Sequence, residues 1–154
     1  MTSSLIRKIF FPLLVVCIGL MAGACNEEDD ISIFVGRTWK VSNFFGPAGA
    51  VYTKTEDLDV LTKANCFYIK FESSTTFTGR TLNKAFSGTW SVDLKTRRIS
   101  LRFNNAVSPT DAISKQMVKS VIETVSYRGD YKYLNLVDKD GAYILFHPYK
   151  NESE

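Results

Sequence analysis

The sequence predicts a mostly β (α+β) domain, a curled antiparallel sheet or partial barrel with one packed helix, and three observations carry that prediction. Phe67, Ile69 and Phe71 alternate with Tyr68, Lys70 and Glu72, the period-two pattern of a half-buried strand. The alternation recurs in Phe86 to Val92 and again in Ile99, Leu101 and Phe103, with the short polar turn Asp93-Leu94-Lys95-Thr96 between them, so Phe86 to Phe103 reads as a hairpin. One long stretch carries apolar residues at helical spacing, Ile113, Met117 and Val121, with Val125 continuing the series and Lys115 and Lys119 on its other side.

The chain opens differently. Arg7 and Lys8 precede the short apolar run Ile9 to Met21, and Ala22-Gly23-Ala24 places small side chains before Cys25, the layout of a cleaved export signal over residues 1–24. Pro12 interrupts the run, which falls short of the about 20 apolar residues that span a bilayer. Ala22-Gly23-Ala24-Cys25 resembles the lipobox of bacterial lipoproteins. That resemblance implies a lipidated Cys25 and anchoring on the outer membrane, with the domain facing the periplasm or the cell surface. Asn26-Glu27-Glu28-Asp29-Asp30 has nothing apolar to bury and reads as a solvated acidic tether over 25–30; it also resembles the acidic export signals of surface lipoproteins in Bacteroidetes-type bacteria.

Residues 31–154 then suffice for one domain. Trp39, Val41 and Phe44 mark a first strand over Gly36 to Phe45, closed by Gly46-Pro47. The 20 or so residues from Gly46 to Asn65 exceed an ordinary connection and suit a lid, or a brief helix from about Thr55 carrying Leu58 and Leu61. Thr75 to Thr81 and Phe86 to Val92 follow as strands, with Gly79 and Gly88 permitting close approach of neighbouring groups. Ser108 as cap, Pro109 at the first helical position and Asp111 in the first turn announce the helix. Tyr131 to Val137 and Ala142 to Phe146 form a last hairpin around Asp138-Lys139-Asp140-Gly141, where Gly141 can take a positive φ.

Charge and rare residues bound the chemistry. The chain has 19 Lys plus Arg against 16 Asp plus Glu; without Arg7, Lys8 and the four tether acids the balance is 17 against 12, or +5. That supports solubility and an acidic partner and falls far short of a nucleic-acid-binding composition. Cys17 leaves with the signal and Cys25 carries lipid, so Cys66 has no intrachain partner and reads as a half-buried structural thiol. His147, the one imidazole, precedes Pro148 at a strand end and cannot build a metal site alone. Asp138-Lys139-Asp140-Gly141 lacks the distal ligands of a calcium loop. Glu72, Asp93 and Glu123 have no spacing that makes them converge as an acid–base pair. No catalytic set, cofactor or metal is therefore expected.

From Phe77 to Phe146 the chain resembles the META/HslJ domain of small bacterial exported proteins. The resemblance is carried by Phe77-Thr78-Gly79, Asn83, Phe86-Ser87-Gly88-Thr89-Trp90, Glu123 on the helix, Tyr127, Leu134-Asn135-Leu136 and Leu145-Phe146, and Gly36-Arg37-Thr38-Trp39 resembles the opening strand of that family. These are apolar and glycine positions, so the resemblance implies a fold and an envelope location rather than an activity.

Two residue groups are candidates for partner binding. Lys95, Arg97, Arg98 and Arg102 share the polar side of one hairpin, with Arg80 and Lys84 as neighbours. Tyr131 and Tyr133, with Tyr127, Tyr143 and Tyr149, gather near the last hairpin and suit sugar or protein recognition. The leading expectation is a non-enzymatic envelope lipoprotein that binds a protein or glycan partner. A lipocalin-like carrier with an apolar ligand under the Gly46 to Asn65 loop is the alternative, and a hydrolase using His147 the third.

Overall fold

The computed structural model describes residues 31–149; the signal segment, Cys25 and the acidic run lie outside the described residues. Eight strands follow in order: β1 (Thr38–Phe45), β2 (Tyr68–Phe71), β3 (Thr76–Arg80), β4 (Ala85–Asp93), β5 (Arg98–Phe103), β6 (Thr124–Gly129), β7 (Leu134–Asp138) and β8 (Tyr143–Pro148). Each pairs antiparallel with the next, and β8 returns to pair with β1, closing an eight-stranded up-and-down barrel. Two helices interrupt the meander, α1 (Thr55–Leu61) between β1 and β2 and α2 (Ala112–Glu123) between β5 and β6.

The period-two pattern explains the barrel's polarity. Trp39, Ile69, Phe71, Phe77, Trp90, Leu101, Leu136 and Phe146 are buried inside, while Ser87, Thr89, Ser100 and Arg102 face outward and are exposed. An apolar inside and polar outside is the reverse of a membrane-spanning barrel. Among the described residues no helix is long and apolar enough to cross a membrane.

Eight strands leave an interior just wide enough for side chains, and here aromatic rings fill it. The segment Ile31–Arg37 enters at the near end, defined by the β2–β3, β4–β5 and β6–β7 turns, and drops Phe34 onto the barrel axis. The Phe34 ring centroid lies 5.1 Å from Phe71, 5.1 Å from Trp90 and 4.9 Å from Tyr127, and Phe71 and Trp90 stand 4.7 Å apart. Both indole N–H groups donate to backbone carbonyls at this end, Trp39 to Ile33 (3.1 Å) and Trp90 to Ser73 (2.9 Å), so neither ring buries an unpaired donor. Gly36 N–H donates to Phe71 C=O at 2.8 Å and locks the plug to β2.

At the far end α2 crosses the mouth, touching β5, β7 and β8 and burying Ile113, Met117 and Val121 as its spacing predicts. The short helix in the long loop spans Thr55–Leu61 as expected. Lys40 fastens the end of that loop to the wall, its Nζ donating to the carbonyls of Lys63 (2.7 Å) and Cys66 (2.5 Å). Burial of the ammonium lowers its pKa from the ordinary lysine value. Cys66 is half-buried, its thiol 3.5 Å from the Leu82 carbonyl.

Three local expectations are corrected. The N-cap of α2 is Asp111 rather than Ser108, its Oδ1 accepting from Ser114 N–H at 2.8 Å. Asp111→Ala is expected to cost about 1 kcal/mol in urea unfolding, the usual worth of a cap. Val125 does not extend the helix. Thr124 turns the backbone to φ −62°, ψ 130° and satisfies the Ser120 carbonyl with its own hydroxyl, and the β-branched Thr124-Val125 pair opens β6. The last hairpin begins at Leu134 instead of Tyr131, because Asp130 Oδ1 accepts the N–H groups of Lys132 and Tyr133 and holds 130–133 as a turn.

Candidate functional site

The β5–β6 seam determines where the barrel opens. The two strands share one ladder position, Arg98 opposite Ser126, and Tyr127 N–H donates to Arg97 C=O at 3.0 Å; beyond these they part, and α2 occupies the gap toward the far end. Between α2, the Pro47–Gly49 turn and the β7–β8 turn lies a cleft of about 950 Å³. Its floor reaches Phe44, Ile113 and Leu136, and its polar lining combines Thr53, Gln116 and Ser120 with the charged Lys119, Glu123, Asp138, Lys139 and Asp140.

Around this cleft the protein exposes apolar surface. Tyr52 is 61% and Ile122 57% exposed, Val125 and Val51 are exposed beside them, and Phe45 stacks on Tyr143 with ring centroids 4.7 Å apart. Large apolar side chains gathered at a concave, half-polar site are the ordinary signature of a binding surface. The sequence reading missed this cleft. Ile122 was the available signal, an apolar residue one step off the buried stripe of α2 and between Lys119 and Glu123.

The β7–β8 turn forming one wall is built by Asp138, whose Oδ1 accepts from Asp140 N–H (2.8 Å) and Ala142 N–H (2.9 Å), with Gly141 at φ +90°. It is a hairpin turn, and among the described residues no group of three or more His, Cys, Asp and Glu is placed to hold a metal.

The sequence-predicted residues lie elsewhere. Lys95, Arg97 and Arg98 occupy the β4–β5 turn and the start of β5 at the near end, and Tyr131 and Tyr133 occupy the β6–β7 turn at that same end. Arg102 stands on the outer wall four residues along β5 from Arg98, about 13 Å away, and does not join them. The tyrosines also divide. Tyr127 is buried on the axis with the Arg97 guanidinium over its ring, 5.6 Å from the centroid, Tyr143 belongs to the far cleft, and Tyr131 packs under Arg37 at 4.7 Å with its hydroxyl 2.9 Å from Ser32 Oγ. Glu72 pairs with Lys70 at 3.2 Å, and hydrogen bonds from Thr96, side chain and backbone, hold the Asp93 carboxyl below its ordinary pKa. His147 is exposed at the end of β8, and Glu123 stands at the opposite end of the barrel, so no acid–base pair forms between them.

Comparison with known proteins agrees with the barrel. The chain resembles a crystallised DUF4847 family protein from Bacteroides vulgatus ATCC 8482, with a TM-score of 0.65 and 26% identity over 80% of this chain and 99% of that one. No curated protein matches the chain. The family model described as a domain of unknown function, DUF4847, matches residues 26–148, and the chain belongs to that family.

Proposed function

We propose that the protein is a non-enzymatic outer-membrane lipoprotein, anchored through Cys25, that holds a glycan or a peptide segment of an envelope partner in the far-end cleft. One observation carries the reading. The barrel interior is occupied by its own rings, while the mouth beside α2 offers a half-polar cleft with Tyr52, Ile122 and Val125 exposed around it. A lipocalin-like carrier uses the same barrel architecture but keeps its cargo on the axis, where this chain places Phe34, Phe71 and Trp90. The small residues before Cys25 and the resemblance to the lipobox and to META/HslJ domains support the envelope location.

Ser120→Trp tests the cleft, because an indole at this half-buried helix position fills the space between α2 and Tyr52 without touching the axial rings. The wild-type chain is expected to bind members of an envelope oligosaccharide and peptide panel. The variant is expected to lose about tenfold or more in affinity, equivalent to about 1.4 kcal/mol, with an unchanged melting temperature. Binding that survives the indole intact would remove the cleft from the proposal.

A further inference from the structure

The two ends of the barrel differ in charge, and the difference coincides with the direction from which the chain arrives. Among the described residues, the near-end segments, 31–37, 72–75, 93–98, 129–133 and 147–149, carry five cations, Arg37, Lys95, Arg97, Arg98 and Lys132, against three acids, while Arg128 leans away with its guanidinium 5.3 Å from the Tyr143 ring centroid. The acids are already engaged. Glu72 binds Lys70 and Thr78, while Asp93 and Asp130 accept the backbone N–H groups of their own turns. The far-end segments, 46–67, 80–85, 104–123 and 138–142, hold seven cations and seven acids and are neutral.

The near end also presents Tyr131 and Tyr133, 48% and 39% exposed, at the rim of the cationic face. Tyrosine rings of this kind, apolar in body and polar at the tip, favour the headgroup level of a membrane. Ile31 enters here, six residues after Cys25, so a fully extended tether reaches about 20 Å. With Cys25 in the bilayer, the near end cannot stand further from the headgroups than that reach, between two and three Debye lengths of about 8 Å.

We infer that the near end of the barrel docks on anionic lipid headgroups, Lys95, Arg97, Arg98 and Lys132 meeting phosphates while Tyr131 and Tyr133 sit at the interface. The far-end cleft then points away from the membrane toward its partner. The inference rests on the lipid-anchor reading for its geometry. Glu27, Glu28, Asp29 and Asp30 are a rival occupant of the same cationic face, but an acidic run accounts for the charges alone and not for the exposed Tyr133 beside them; Tyr131 is already held by Arg37 and Ser32 and offers only its outer face.

Hydrogen exchange on the full chain, purified as the cell processes it and mixed with vesicles, tests this. Phosphatidylcholine vesicles are compared with vesicles containing about one third phosphatidylglycerol. Segments 93–98 and 128–133 are expected to exchange about tenfold more slowly on the anionic vesicles, with 138–142 unchanged. The slowing should vanish in about 0.5 M salt, where the Debye length falls to about 4 Å, and in the Arg98→Glu/Lys132→Glu variant, whose exposed positions leave the fold intact. Equal exchange on both vesicle types overturns the docking. Protection on both types that disappears when the four tether acids are neutralised assigns the face to the tether and also overturns it. Flotation with phosphatidylcholine reads the anchor separately: failure to float, with protection by phosphatidylglycerol retained, removes the anchor and keeps the docking.

Discussion

Phe34→Ala is expected to lower the unfolding free energy by about 3–5 kcal/mol, the range for emptying a fully buried aromatic site. Phe34 belongs to no strand, yet it is completely buried and its ring meets rings from β2, β4 and β6. Removing it leaves a void lined by Phe71, Trp90 and Tyr127 that the closed barrel cannot collapse, because β2 and β4 are each laddered on both sides and β6 is laddered along β7. It also frees the segment whose carbonyl at Ile33 accepts the Trp39 indole. Urea unfolding followed by tryptophan fluorescence measures the loss, and near-ultraviolet circular dichroism should report looser packing of Trp39 and Trp90 in the native baseline. A loss below about 1 kcal/mol would mean that the rings close over the axis without the plug. Against the carrier reading the same variant is informative: an apolar probe the size of the missing ring, such as benzene, should enter Phe34→Ala and not the wild type, since a dry cavity binds an apolar guest that fits the space vacated.

How much of this was legible in the residues depends on the range of the interaction. The alternation in Phe67 to Phe71 and Phe86 to Phe103 and the stripe on α2 are local, set by which side of an element faces water, and each appears where the periodicity puts it. The glycine turn at 141 likewise follows from backbone sterics. Closure was not local. The sequence predicted a curled sheet or partial barrel, and the pairing of β8 with β1 joins residues about a hundred positions apart. β6 was missed because Thr124 to Gly129 continues from a helix with no turn residue between them, so that Val125 satisfied both the helical spacing and the strand.

The binding residues show the same division. That Lys95, Arg97 and Arg98 share a turn follows from adjacency, but their meeting with Tyr131 and Tyr133 depends on strand order around the barrel. Arg102 lay on the expected face and was separated from them by strand length alone. The far cleft combines the long β1–β2 loop, α2 and the β7–β8 turn, three segments distant in sequence. The family is that of DUF4847, and the positions that suggested META/HslJ domains are mostly apolar and glycine ones, which specify packing rather than chemistry.

Gly88→Val is expected to destabilise the barrel by about 3 kcal/mol, toward the upper end for overpacking, through space rather than backbone torsion. Gly88 is buried opposite Phe77 on β3 and Phe103 on β5, and a Cβ there would overlap the Arg102 carbonyl and the Phe77 ring. The arrangement is reciprocal two residues away. Gly79 lies opposite Phe86, whose ring occupies the place of its missing side chain beside the Tyr68 carbonyl. Two cross-strand Phe–Gly pairs thus let Phe77, Phe86 and Phe103 close on one another, with centroids 5.1–6.3 Å apart, where β3 and β4 bend to close the barrel. A double-mutant cycle separates the two obstacles. Phe77→Ala should relieve the ring overlap in Gly88→Val and give a favourable coupling of about 1 kcal/mol, while the remaining cost reports the Arg102 carbonyl, which no side-chain truncation can move. Gly88→Val with wild-type stability would show that β4 can shift relative to β5 at this point, and a coupling of zero would show that the ring yields freely and the backbone alone sets the limit.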